Sequence, residues 1–368
     1  MSENSTPRIL VVNPYGIGDV LFTTPLIQAL RDKYPGAFIG MLVGSRTAEV
    51  VRDNPCISEI FVYDKDRYRS LPWWKAFRYF LNLIMTLRRQ RFNTLIDFSL
   101  GAEYSAIALF LLGIKKRIGF NMKGRGRFLN KKVRLKGFHT KPVASYYLEL
   151  GKFLGLDPDA VEEQDGELKL YLSKEGLRRA EEFLRKEGLD QDQKLVLMIP
   201  GGGASWGANA WYKQWPAESF ARLADLLVEG YGAQIIITGD EKDRPIVERA
   251  AQAMKAKPVV STGLDLGAFS ALMSYCRLVV CNDGGPLHVA VSQGISTVSF
   301  FGPVDERVYG PYTKDRDHFV FTNPVSCRPC YKHPTFPPCR YEKACLVELN
   351  PESVAREARP LLKRRLGD

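Results

Sequence analysis

The residue types best suited to chemistry fall in residues 278–294, Leu-Val-Val-Cys-Asn-Asp-Gly-Gly-Pro-Leu-His-Val-Ala-Val-Ser-Gln-Gly. Leu278 to Cys281 read as the end of a buried strand, Asn282-Asp283-Gly284-Gly285-Pro286 as a turn, and residues 287–293 resume helical spacing. A strand that breaks on glycines into a helix makes an anion site. The first N–H groups of the helix have no internal partner and sit at the positive end of its dipole. His288, in the first turn, points at whatever occupies that site. An ordinary strand–turn–helix corner with a satisfied histidine would show the same residues, so the rest of the chain has to decide.

Two further strand ends carry related signals. Residues 195–199 lead into Pro200-Gly201-Gly202-Gly203, where backbone can approach a phosphate with no side chain in the way, and residues 234–238 lead into Gly239-Asp240-Glu241. Strand ends of a parallel sheet cluster in space. The three loops would therefore assemble glycines for a diphosphate, an acid for a ribose and His288 around one ligand. At the start of the chain a short strand, residues 8–13, runs into Pro14-Tyr15-Gly16-Ile17-Gly18-Asp19 and then a helix. A dinucleotide fingerprint is excluded, because Leu21 stands where the third glycine belongs and the next strand ends in Gly44-Ser45-Arg46 with no acid for a ribose. Asp19 at the mouth of the helix is either a cap, worth about 1 kcal/mol, or a general base for a substrate hydroxyl.

A last cluster is Cys327-x2-Cys330-x8-Cys339-x5-Cys345, with His333 inside it. Four thiols so close together could bind zinc or iron tetrahedrally, although only the first pair has zinc-like spacing; reduced free thiols are the alternative.

The elements that must position these groups alternate between strand and helix along the chain, which implies parallel sheets wrapped by helices. At 368 residues and 45% hydrophobic content, two domains can each bury a core. An acidic, Pro- and Gly-bearing stretch at 157–166 reads as the linker between them. The boundaries are 1–165 for a first domain, 166–350 for a second that includes the Cys-rich loop 327–345, and 351–368 for a final helix.

The net charge of +11 calls for an acidic partner: nucleic acid, an anionic membrane surface or a phosphorylated substrate. The charge is local. Residues 115–141 hold eleven Lys or Arg and no acid, broken by glycines, and read as a mobile basic loop system that includes Arg125 and Arg127. Upstream, Arg67 and Arg69 belong to a basic run interleaved with Tyr68, Trp73, Trp74 and Phe77, a pattern that favours a binding surface over a merely solvated face. No helix-turn-helix, zinc-finger or RNP signature supports nucleic acid. The longest apolar run, residues 106–114, is about half of a bilayer crossing, and the polar N-terminus lacks a signal-peptide core, so a cytoplasmic protein is expected.

Taken together the motifs resemble the heptosyltransferases of lipopolysaccharide core synthesis, inverting glycosyltransferases of family 9. The matching residues are Gly16-Ile17-Gly18-Asp19-Val20-Leu21, Pro200-Gly201-Gly202, Lys213-Gln214-Trp215-Pro216, Thr238-Gly239-Asp240-Glu241 and Asn282-Asp283-Gly284-Gly285-Pro286-Leu287-His288, in the family's order along nearly the whole chain. The resemblance implies a glycosyltransferase B fold: two Rossmann-like α/β domains facing across a cleft, an N-terminal acceptor domain, a C-terminal nucleotide-sugar domain, and a last helix over 351–365 crossing back. It implies Asp19 as catalytic base, Lys213 as the cation on the donor phosphates with His288 beside it, Glu241 on the ribose, and Gly201, Gly202, Asp283, Gly284 and Gly285 around the diphosphate. Gly18 with Arg67, Arg69, Arg125 and Arg127 would meet an acidic acceptor. The implied donor is ADP-heptose, with no metal needed for catalysis, and the implied location is the cytoplasmic face of the inner membrane, as a peripheral protein. Gly284 departs from members that carry a hydroxyl residue there, which leaves the donor open to other nucleotide sugars and the acceptor to protein. A non-catalytic nucleotide- or nucleic-acid-binding module is the rival of a different class.

Overall fold

Runs such as Ile9-Leu10-Val11-Val12 and Leu195-Val196-Leu197-Met198-Ile199 are apolar at every position, a pattern that only strands covered on both faces can satisfy. The computed structural model describes residues 6–190, 192–331 and 338–367. It divides into two units, Met1–Tyr171 and Leu172–Asp368.

In the first unit β1 (Arg8–Asn13), β2 (Phe38–Gly44), β3 (Glu59–Tyr63), β4 (Thr94–Asp97), β5 (Lys116–Met122) and β6 (Lys131–Leu135) form one parallel sheet in the order β3-β2-β1-β4-β5-β6. The second unit repeats this plan with β7 (Leu195–Ile199), β8 (Gln234–Gly239), β9 (Val259–Thr262), β10 (Leu278–Asn282), β11 (Thr297–Phe300) and β12 (His318–Phe321), in the order β12-β11-β10-β7-β8-β9. Each unit's first strand lies beside its fourth, with Val12 opposite Asp97 and Cys281 opposite Ile199. The winding reverses at those two places, so the carboxyl ends of β1 and β4, and of β7 and β10, open a crevice in each unit.

Several expectations change. The stretch 157–166 is not a linker: Pro158–Asp165 is a helix of the first unit, because Asp157 caps it by accepting the Asp159 N–H at 3.2 Å and Pro158 suits its first turn. Before it, residues 143–154 form an α-helix, Val143–Leu148, and a 3₁₀ turn, Glu149–Leu154. The basic stretch 115–141 is not all loop, since it supplies β5 and β6. Arg117 shows why, as its guanidinium donates to the carbonyls of Phe128 (2.7 Å), Ile114 (2.6 Å) and Lys115 (3.0 Å). That cation serves the fold rather than a ligand. The last stretch is two helices, Pro351–Glu357 and Arg359–Leu366, and their Val354, Leu361, Leu362 and Leu366 are buried in the core of the second unit. Among the described residues no helix is long and apolar enough to cross a membrane.

At the centre of the second unit's core Trp215 is fully buried, stacked on Phe300 at 4.0 Å between centroids and edge-on to Phe220 at 5.2 Å. Its indole N–H donates to the Leu349 carbonyl at 3.0 Å, tying the segment before the final helices to the site-bearing loop. Trp215→Ala should cost about 3–5 kcal/mol and expose that carbonyl. Urea unfolding of the second unit, followed by circular dichroism, measures it; a loss under about 1 kcal/mol would contradict this account of the core.

Candidate active site

The second unit gathers its candidate residues at the β7/β10 crevice. Asn282 ends β10 with its side chain buried. Its amide donates to the carbonyls of Pro200 (2.9 Å) and Gly201 (3.1 Å) after β7, and its oxygen accepts the Trp215 N–H at 2.9 Å. One side chain therefore fixes three segments: the glycine loop, the Lys213–Trp215 segment and the turn into the next helix. Beyond it, the Lys213 ammonium lies 2.7 Å from the Asp283 carboxylate, both side chains less than 10% exposed, and 4.1 Å from the Trp206 ring centroid. The helix Gly285–Ser292 starts immediately after, with Pro286 in its first turn and His288 buried. Burial, reinforced by the nearby Lys213 charge, pushes the His288 imidazole down to about 3. It is therefore neutral at pH 7 and can offer a ligand one N–H but no charge. An unfolded histidine titrates near its ordinary value, so this group opposes folding progressively as pH falls from about 6.5 toward 3.

The glycine loop is close to this cluster. A Cβ on Gly284 would stand 4.0 Å from the Gly202 carbonyl oxygen, and one on Gly202 would collide with the Ala210 carbonyl, so backbone crowding alone requires glycine at 202. Asp243, which the sequence did not single out, sits here: its carboxylate accepts the Gly202 N–H, and burial with the Asp240 charge raises it to about 6. Glu241, expected on a ribose, is exposed at the end of β8 and ion-paired to Arg244 at 2.8 Å. It follows β8, which lies beside β7 in the sheet.

The first unit builds its crevice similarly. Asn13 ends β1 fully buried and donates to the Asp19 carbonyl at 2.8 Å. Gly18 and Asp19 lie on the short helix Ile17–Leu21, whose N-cap is Gly16; Asp19 is not the cap itself but, from the third helical position, accepts the Gly16 N–H at 3.2 Å. Tyr15 donates to the Ser99 carbonyl and links the loops after β1 and β4. Burial and the carboxylates of Asp19, Asp97 and Glu103 raise the Tyr15 phenol to about 12, while Arg125 opposes them. Asp97 is the residue the sequence reading missed. It ends β4 buried, with one oxygen accepting the Ser99 N–H at 2.9 Å and the other without a hydrogen-bond partner, and burial raises it to about 6. A lone Asp closing the strand next to β1 was the available signal. Arg67 and Arg69 are exposed on the helix Lys65–Ser70 after β3, two strands from β1, and Arg127 lies over the Phe128 ring at 4.9 Å.

Cys327, Cys330, Cys339 and Cys345 line one small cavity. Among the described residues, however, no three Cys, His, Asp or Glu are placed to hold an ion, and His333 lies outside the described residues. The zinc or iron expectation does not fit this arrangement. The Cys339 sulfur accepts the Lys343 N–H at 3.3 Å, and burial first, then the neighbouring thiols, raise Cys345 to about 11, so it is a neutral thiol. The segment serves instead as a buttress: Tyr331 packs on Trp206 at 4.8 Å, and Lys343 donates to the carbonyls of Trp211 (3.1 Å) and Gln214 (3.3 Å), beside Lys213.

Two Rossmann-like units of identical strand order define an α/β protein of the glycosyltransferase B fold. Residues 80–339 match glycosyltransferase family 9 (heptosyltransferase), and the chain belongs to that family of glycosyltransferases. It is 22% identical over 307 residues to lipopolysaccharide heptosyltransferase 3 of Escherichia coli, covering 82% of this chain and 85% of that one. A family 9 glycosyl transferase structure from Veillonella parvula superposes with a TM-score of 0.79 at 25% identity, over 99% of each chain. The E. coli ADP-heptose LPS heptosyltransferase II structure gives a TM-score of 0.73 at 20% identity, over 97% of this chain and 99% of that one.

Two outcomes follow from this geometry. Asn282→Ala should destabilise the second unit by about 1–3 kcal/mol, the cost of buried partners left unmade, read from the shift of its urea midpoint. Asp97→Asn should raise the first unit's Tm at pH 8, because the raised carboxyl pKa is a contribution fully present below the ordinary 3.8 and lost as pH rises through about 6. At pH 4 the same substitution should change Tm little; an equal shift at both pH values would remove the buried-charge explanation.

Proposed function

We propose that the chain transfers a heptose from ADP-heptose to the inner core of lipopolysaccharide, to a Kdo or heptose hydroxyl, with inversion at the anomeric carbon. The observation that carries this reading is the buried Lys213–Asp283 pair at the opening of the helix Gly285–Ser292, in a chain that belongs to the heptosyltransferase family. Likeness to the E. coli ADP-heptose LPS heptosyltransferase II supports the donor.

Inversion requires one displacement. Asp19 takes the proton of the acceptor hydroxyl, the oxygen attacks the anomeric carbon, and the bond to the β-phosphate oxygen breaks with its electron pair on the departing ADP. Asp283 and the Trp206 face hold the Lys213 ammonium in place, so no reorganisation is needed when charge develops on the leaving group. The Gly285 N–H, at the positive end of its helix, and the neutral His288 donate to the same phosphate oxygens. Gly284 leaves this contact to backbone, since it has no hydroxyl to offer. Arg125, together with Gly18, Arg67, Arg69 and Arg127, meets the phosphates and carboxylates of the acceptor. Glu241 would exchange Arg244 for the donor ribose. Because the acceptor is lipid-linked, the protein works in the cytoplasm at the inner-membrane surface.

Asp19→Asn should lower heptose transfer by about 10²–10⁴-fold, while the thermal shift produced by ADP stays near that of the unsubstituted protein. Transfer measured across ADP-, UDP- and GDP-sugars onto heptose-free lipopolysaccharide core tests donor and acceptor together. Near-normal turnover in Asp19→Asn would leave Asp19 as the acceptor of the Gly16 N–H only, and turnover with a UDP- or GDP-sugar but not ADP-heptose would overturn the donor.

A further inference from the structure

The helix Trp73–Arg89 has more apolar surface than the fold uses. Ala76, Ile84 and Leu87 are its buried residues, while Trp73 (82% exposed), Trp74, Phe77, Leu81 and Met85 face solvent. At 3.6 residues per turn, Trp74, Phe77, Leu81 and Met85 fall within an arc of about 80°. That is a second apolar stripe beside the one that packs on the sheet. Single exposed apolar residues need no explanation, but a continuous stripe on one helix does.

The stripe has a charged border of one sign. The helix carries Lys75, Arg78, Arg88 and Arg89 and no acid. Arg88 donates to the Leu111 carbonyl at 3.3 Å, which brings exposed Leu111 and Phe110 (70% exposed) to the end of the stripe. Phe110 in turn meets Phe128 edge-on at 5.6 Å, beneath Arg127. The apolar face therefore runs into the basic 115–141 region without an acidic break. A second copy of the chain would bring this basic face against its own charge, which disfavours a symmetric dimer through it. Tryptophans at one end, aliphatic residues along the middle and cations at the flank match a helix lying in the plane of an anionic bilayer, with rings at headgroup level and cations on lipid phosphates.

We infer that the outer face of the helix Trp73–Arg89, extended by Phe110 and Leu111, docks this protein on an anionic lipid surface. The inference deepens the membrane-surface part of the proposed function and is independent of the donor. The test is sedimentation of the full chain with vesicles of phosphatidylcholine containing phosphatidylglycerol, and with phosphatidylcholine alone, for the unsubstituted protein and for Trp73→Ser/Phe77→Ser/Leu81→Ser. These three side chains are exposed, so an unchanged Tm verifies that the variant folds; Arg78→Glu/Arg89→Glu is a second probe of the same face. The expected result is binding to the anionic vesicles that drops at least tenfold on neutral vesicles, in high salt and in either variant. Binding by the triple variant equal to that of the unsubstituted protein would overturn the docking face while leaving a membrane-surface enzyme. No binding by the unsubstituted protein would remove both. A dimer that the triple variant breaks, with no vesicle binding, would assign the stripe to a second copy. Transfer onto a soluble, delipidated core acceptor reads the heptosyl activity separately, so failure there does not bear on the docking face.

Discussion

The second unit depends on one side chain, Asn282. From the end of β10 its side chain makes three hydrogen bonds, two to carbonyls of the loop after β7 and one from the backbone N–H of Trp215. In an interior where every unpaired polar group costs free energy, a fully satisfied amide fixes its surroundings more sharply than apolar packing of equal area. Lys213 owes its position to that clamp. It lies two residues before Trp215, whose ring is locked by Phe300 and Phe220, and it meets Asp283 one residue beyond Asn282. A buried ammonium would be prohibitively desolvated without this carboxylate, and the pair is held where a helix dipole also points. The Cys-rich segment adds a second support from outside, through Tyr331 on Trp206 and Lys343 on the carbonyls of Trp211 and Gln214.

The first unit uses the same device with different groups. Asn13 closes β1 and holds the Asp19 backbone, and Tyr15 bridges to the loop after β4. Around this frame the carboxylates of Asp19, Asp97 and Glu103 act on Tyr15, and Arg125 opposes them. That arrangement opposes stability, as the raised Asp97 makes plain, and such strain is typical of places where protons are to be moved. The basic surroundings of the unit divide by role. Arg117 is consumed by backbone carbonyls, whereas Arg67, Arg69 and Arg125 remain at the surface on the strand-end side.

Much of this was legible from residue order. The apolar runs gave the strands at 8–13, 195–199, 234–238 and 278–282, and glycines after them marked the loops that the topology brings to the β10-β7-β8 edge. The elements that escaped notice had mixed signals. β5 opens on Lys116 and Arg117, and β6 carries Lys131, Lys132 and Arg134, so two strands looked like a basic loop. The helix Pro158–Asp165 carried the Asp-Pro of a turn, which is equally the start signal of a helix. The cysteine spacing suggested a metal, but ligation depends on directions at each sulfur that spacing does not contain.

The sequence by itself determined the parallel α/β plan, the anion-favouring turn at Asp283–Gly285, the candidate base at Asp19 and the basic character of the first half. These follow from local periodicity, backbone freedom and formal charge, which are properties of neighbours in the chain. Only tertiary structure decided that Lys213 pairs with Asp283, that His288 is neutral, that Asp243 lies against the glycine loop, that Asp97 and Asp19 both face Tyr15 and that Glu241 pairs with Arg244. Each of those depends on burial and on contacts between residues far apart in sequence, and both burial and contact are set by how the sheets are wound rather than by any stretch read alone.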